Sequence, residues 1–236
     1  MNDAMADRDR VGLWPEPVCV GIGVTHETLE MCIWSLSVIF GYRNETFGIE
    51  SLADAIAAWA PALIVLESAG GAEHEVACAL QALRLPLAIV KPHQARDWLP
   101  DSATLPLDGK GARARLLAAL ADALDRHPSG GRLVEPLSDP QLAHVQALVQ
   151  RRRQLARMHI AEYQLLTLCH ASVRSGIVQT IAFLKHQIAV VDRHCARHVN
   201  TQRVEFARLL AHEVRPGRVA RHVQVGAFIR RNWRAK

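Results

Sequence analysis

VCVGIGVTHETLE, residues 18–30, is the stretch on which the fold turns. Val18 to Ile22 form an apolar, largely β-branched run, which suits a buried strand. Thr25-His26 supplies a short turn, and Leu29–Ser35 returns as a second strand, so the spacing predicts a hairpin over Val18–Gly23 and Leu29–Ser35. Gly23 closes the first strand, at a position whose side chain would point into a cleft at the sheet edge. Many folds that open on this pattern carry a carboxylate there.

Working outward, Asn44–Ile49 reads as a third antiparallel strand. Ser51–Ala60 reads as a helix with Ser51 as N-cap and Leu52, Ile56 and Trp59 on one face, ended by Pro61. Ala62–Leu66 is a buried strand that stops at Glu67. Ala72–Leu83 is a helix, and Pro86–Val90 is another apolar strand. Strand-helix-strand connections of this length imply parallel pairs with right-handed crossovers, hence an α/β mixed sheet flanked by helices. Pro100–Gly111 reads as a loop and Ala112–Leu124 as a helix. His127–Pro136 is a Pro/Gly-rich connector and the best domain boundary. Beyond it, Ser138 and Gln141 form a capping box with Pro140 in the first turn. Leu142, Val145, Leu148, Leu155, then Ile177, Ile181, Leu184 and Ile188 recur at helical spacing. Two long helices follow, broken near Ser172–Gly176, with a third over Thr201–His212. Such pairs form an antiparallel hairpin or a coiled coil with another copy.

Length and composition set the class. With 236 residues, half of them hydrophobic, the chain can bury a substantial core. Five scattered cysteines without a CxxC pair fit a reducing compartment. The acidic N-terminus is no signal peptide, and no apolar run reaches a membrane span, so a soluble cytoplasmic protein with no membrane partner is expected. Charge is divided unevenly. Residues 1–150 hold 11 Lys and Arg against 19 Asp and Glu, whereas residues 151–236 hold 17 against 4. A basic region of this size meets a polyanion, commonly nucleic acid, or packs against an acidic surface.

Several residues are candidates for chemistry. Glu67 ends a buried strand beside the hairpin's open end, where ribonuclease H-like folds hold divalent metals through several acids. Its ordinary alternative is a solvated strand-end acid. Ser68-Ala69-Gly70-Gly71 could present N–H groups to a phosphate, or form a plain tight turn. Arg151, Arg152, Arg153 and Arg157 fan around one helix and could meet backbone phosphates, or form a solvated face. His194 and His198 share a helix face at a spacing that suits zinc, without a second pair of ligands at a telling distance.

The order of these pieces resembles the insertion-sequence transposases of the one-ten family, relatives of the pilin-gene invertase. The segments that carry the resemblance are VCVGIGVTHETLE, PALIVLESAGGAE, LRLPLAIVKPHQARDW, GARARLLAALADAL and LVQRRRQLARMHIAEYQLL; LLAHEVRPGRVA is similar to the entry of the family's C-terminal domain. The resemblance implies a ribonuclease H-like (RuvC-like) domain over residues 16–127, a helical coiled-coil region over 138–214, and a remnant of a serine-bearing domain over 215–236. It implies four metal-binding acids, with Mg2+ as cofactor in active members. Here Glu67 matches the second acid, whereas Gly23, Lys110 and Arg113 stand at the other three. Asp101 and Asp108 lie nearby in the loop. No serine follows Ser175. The resemblance therefore implies a transposase homologue without catalysis and without a bound cofactor. It would bind DNA, and possibly a structured RNA, and self-associate through its long helices. Two alternatives stand beside it: a metal-dependent recombinase using Glu67 with Asp101 or Asp108, and a scaffold that pairs with an intact transposase.

Overall fold

The structure, a computed structural model, describes residues 17–91, 109–127, 134 and 136–213, with side chains as far as residue 208. Five strands, β1 (Cys19–Val24), β2 (Thr28–Ile33), β3 (Val38–Arg43), β4 (Leu63–Glu67) and β5 (Leu87–Val90), form one mixed sheet in the order β3-β2-β1-β4-β5. The first three make an antiparallel meander, and β4 and β5 run parallel to β1. Among the described residues, five helices accompany them: α1 (Thr46–Trp59), α2 (His74–Ala82), α3 (Ala112–Asp125), α4 (Asp139–Leu168) and α5 (Ala171–Glu213).

The alternation along β1 divides the core in two. Val20, Ile22 and Val24 point to one face, where they join Leu29, Met31, Ile64, Leu66 and Ile89 beneath α1 and α2; Leu184, Val191 and Val199 of α5 belong to the same cluster. Cys19, Gly21 and Gly23 point to the other face. Leu63, Val65, Ala88 and Val90 share that face and are covered by Leu117, Leu120, Ala121 and Leu124 of α3. Burial on both faces explains why the strand runs read as continuously apolar. It also pushes the Cys19 thiol up to about 12, helped by the charges of Asp125 and Asp122. Such a thiol stays protonated and unreactive.

Gly21 sets how closely α3 approaches. A Cβ at this position would lie 2.6 Å from the carbonyl carbon of Leu117 and would also collide with backbone atoms of Ala114 and Ala118. The helix therefore rests its backbone on the strand, with only small side chains, Ala114 and Ala118, at the contact beside Cys32.

Three expectations are corrected. The third strand is Val38–Arg43, not Asn44–Ile49: Trp34–Ser37 form a turn closed by Ser37 in a left-handed conformation (φ 52°), and Asn44 and Glu45 already lead into α1. β2 accordingly stops at Ile33. Ser51 caps nothing; it lies within α1, where its hydroxyl donates to the Phe47 carbonyl at 2.9 Å. The long helices part at Cys169-His170, ahead of Ser172–Gly176, because Ser172 N–H finds His170 Nδ1 (3.3 Å) as a cap, and α5 then runs unbroken through Thr201–His212 to Glu213. Most of the two predicted loops, with Asp101 and Asp108, lies outside the described residues, as does 215–236.

The capping box forms as expected, Ser138 N–H donating to Gln141 Oε1 at 3.0 Å. Helices α4 and α5 pack antiparallel, Arg152 meeting Asp192 and Tyr163 meeting Lys185, and both rest on α2. Gln146 donates to the Ala82 carbonyl (2.9 Å), and His198 Nε2 lies 2.9 Å from Gln81 Oε1. Among the described residues, no helix is long and apolar enough to cross a membrane.

Candidate functional site at the carboxyl ends of the parallel strands

Register brings the sequence candidates together. On β2, Glu30 stands opposite Gly23; continuing the β1–β4 ladder past Ile22 and Leu66 places Glu67 on the other side of Gly23. Directly opposed residues point to the same face, so Glu30, Gly23 and Glu67 form one cross-strand row beneath the start of α3. The glycine leaves a gap in the middle of that row, and helix α3 fills it: the Cβ of Arg113 lies 3.3 Å from where a Cβ of residue 23 would be.

The first turn of α3 is held on both sides. Gly111 N–H donates to Glu30 Oε2 (3.1 Å), and Arg113 Nη1 reaches Glu67 Oε2 (3.5 Å). Gly111 adopts φ 75°, a left-handed entry that glycine takes at no steric cost. Glu67 is buried, 6% exposed, while the Arg113 side chain is 66% exposed. Lys110, exposed, sits on the turn that leads into the helix. The structure thus gathers Gly23, Glu67 and Arg113 at one point, with Lys110 beside them. Glu30 is the member that sequence reading missed. Its signal was present: in Thr28–Ile33 it alternates with Leu29 and Met31, and so faces away from the main core.

This donor set does not fit Mg2+. A hard dication wants six oxygens, usually including carboxylates not already neutralised. Here one buried carboxylate is paired with a guanidinium, the next position in the row supplies no ligand, and Glu30 accepts a backbone N–H. Among the described residues no cluster of three or more His, Cys, Asp or Glu is arranged to hold a metal. His198 is turned to Gln81 and its pKa is lowered, by burial first and by His144 second, and His194 is exposed.

The loop after Glu67 does hold an anion, but the chain's own. Glu73 is fully buried and accepts hydrogen bonds from Ala69 N–H (3.0 Å), Gly71 N–H (2.8 Å) and the Ser68 hydroxyl (2.9 Å). Arg203, arriving from α5, donates to Ser68 Oγ at 2.7 Å and lies 3.8 Å from Glu73. The N–H groups read from sequence as a possible phosphate cradle are therefore occupied. Burial works against the charged Glu73, but these hydrogen bonds outweigh it and hold its pKa below the ordinary value. The sign follows: ionised Glu73 stabilises the fold above about pH 4.5, and that contribution is lost as pH falls through its depressed pKa. Glu73→Gln should cost ~2 kcal/mol at pH 7. In urea titrations the gap from wild type should narrow as pH falls below 4.5; a gap independent of pH would refute the assignment.

The arginines of α4 have partners inside the chain. Arg152 binds Glu75 of α2, Asp192 of α5 (2.7 Å) and the Thr46 hydroxyl (2.7 Å). Arg153 and Arg157 both reach Glu50 of α1, at 3.0 and 3.7 Å. Arg151 donates to Gln154 one turn on (2.8 Å). With Arg203 on Glu73, the basic C-terminal part meets acids of the N-terminal part repeatedly, so part of the charge asymmetry is satisfied within the fold.

No protein-family model and no curated protein matches this sequence.

Proposed function

We propose that this chain is a transposase homologue of the one-ten type that has kept a ribonuclease H-like scaffold, lost metal-dependent strand cleavage, and works in the cytoplasm by binding DNA. One observation carries the reading. Two of the positions that the resemblance assigns to acids, Gly23 and Glu67, are neighbours at adjacent strand ends, and the guanidinium of a third, Arg113 on α3, stands beside the one remaining acid. An antiparallel meander continued by two parallel strands supports the ribonuclease H-like scaffold. Exposed Arg193 and Arg197, one turn apart on α5, supply cationic surface beyond the internal pairs. Calorimetric titration of Mg2+ and Mn2+ should give no specific binding in wild type or in Glu67→Ala, and supercoiled DNA should stay uncut. Metal binding or cleavage that vanishes in Glu67→Ala would restore the recombinase reading. The DNA component is tested separately: duplex affinity should fall steeply with salt, and absence of binding at low salt would remove it.

A second reading, a scaffold acting through the long helices, is favoured by the far end of the hairpin. Leu155 is the last buried residue of α4. Beyond it Met158, Leu165 and Leu168 are 46%, 52% and 85% exposed, and with Ala161 they follow a three-four spacing. Self-association through this stripe, or pairing with an intact transposase, would give a coiled coil. Light scattering separates the cases: a dimer dispersed by Leu165→Glu and Leu168→Glu supports the scaffold, and a monomer at all concentrations counts against it.

A further inference from the structure

The mismatch between this strand-end row and a metal points to a different ligand. We infer that Lys110 and Arg113 form a metal-independent binding site for a phosphoryl group, in which the Arg113 guanidinium stands permanently where a dissociable cation would otherwise be required. The inference rests on the DNA-binding reading and names the subsite.

Four observations converge. Ligands of α/β sheets bind outside the carboxyl ends of the strands, where the chain leaves neighbouring strands in opposite directions. In this sheet that place lies between β1, which continues to β2, and β4, which continues to β5. Arg113 is anchored there through one nitrogen to buried Glu67, which leaves the outer edge of an exposed guanidinium turned to solvent. A planar fork fixed on one side is suited to a second, bidentate contact with phosphate oxygens on the other. Lys110, three residues earlier, gives its carbonyl to Arg115 (3.5 Å), and among the described residues its exposed ammonium enters no ion pair. Its approach is fixed because Glu30 holds the Gly111 N–H. Gly23 contributes by absence: a Cβ there would lie 3.3 Å from the Arg113 Cβ, so the glycine lets α3 settle over this point. Glu67 acts as a positioning residue and touches no ligand.

The test is duplex binding by fluorescence anisotropy in EDTA, using the full chain and a labelled oligonucleotide, with melting curves to show that each variant folds. Wild type should bind without metal. Lys110→Gln with Arg113→Gln should weaken binding about tenfold and reduce the slope of log Kd against log salt by roughly two. Arg84→Gln, an exposed cation at the opposite end of the parallel strands, serves as the comparison and should bind like wild type. A double variant that binds like wild type overturns the site while leaving the DNA reading intact. Glu67→Gln gives a sharper outcome. It raises net charge by one, so non-specific attraction predicts tighter binding, whereas loss of the anchor predicts weaker binding; tighter binding overturns the positioning role. Pyrophosphate separates the sources. Competition that is lost in the double variant means any phosphoryl anion is accepted, and no competition means the diester backbone is required. Wild type that binds pyrophosphate but no duplex keeps the site and sinks the DNA reading. Wild type that binds neither ends both.

Discussion

Arg152→Ala should destabilise the fold by about 3 kcal/mol, because it strands a largely desolvated carboxylate. The Arg152 side chain is 17% exposed and that of Glu75 23%. Burial already raises the Glu75 pKa, and Asp192 adds to the rise; Arg152 is the main opposing influence, with the Thr46 hydroxyl a lesser one. Without the guanidinium, Glu75 keeps that hydroxyl and the weaker influence of Arg153 against a nearby negative charge, and its pKa must rise further. The folded variant then binds a proton that the unfolded chain releases, so stability falls as pH rises. The loss should be largest near pH 8 and smaller near pH 5, where Glu75 can protonate. Arg152→Met combined with Glu75→Gln should recover most of it, since a buried ion pair is dispensable once both charges go. Denaturant unfolding at the two pH values decides the matter. An equal loss at both would show that Glu75 does not carry the effect.

Gly21→Ala should be at least as damaging, although it adds a single methyl group. In most strands this change is neutral or favourable, because alanine loses less backbone freedom on folding. Here the methyl would overlap the backbone of α3 at Ala114, Leu117 and Ala118, and a helix backbone cannot yield as a side chain can. The helix must lift from the sheet, opening the cluster around Val65, Val90 and Leu120. A cost above ~4 kcal/mol, or failure to fold, is expected. Gly23→Ala is the internal comparison. Its Cβ would meet the Arg113 Cβ at 3.3 Å, a contact that a few tenths of an ångström relieves. It should cost no more than ~1 kcal/mol. Thermal melting of the two variants side by side is sufficient, and equal shifts would show that α3 is not seated on Gly21.

Much of this was legible in the sequence. β1, β4 and β5 are buried apolar runs with few alternatives, and α3 and the α4 capping box carry plain signals. β3 was not, because its residues are exposed or only partly buried without a regular alternation, and the turn before it uses Ser37 in a conformation that serine seldom adopts. The break between the long helices was placed by glycine, yet Gly176 is accommodated in α5 and a histidine cap at His170, ahead of it, makes the break. At the site, the likeness to a family pointed to residues 23, 67, 110 and 113, but only the register together with the packing of α3 shows three of them meeting. Arg152 reads as a surface cation because its partners, Glu75 and Asp192, lie far away along the chain. The partners of Arg203 and Glu73 are hidden for the same reason.

The seating of α3 on Gly21, opposite the face that α1 and α2 cover, also governs how the molecule is made. During synthesis β1 emerges first, yet one side of it is covered only when α1 and α2 have formed and the other only when residues 112–125 arrive. Until then a nascent hairpin of valines, isoleucines and leucines stands open on at least one side. Non-local closure of this kind slows folding and lengthens the time in which strands can pair with the wrong neighbour. The sheet at the centre of the finished molecule is thus the part most in need of a chaperone while the chain is still being synthesised.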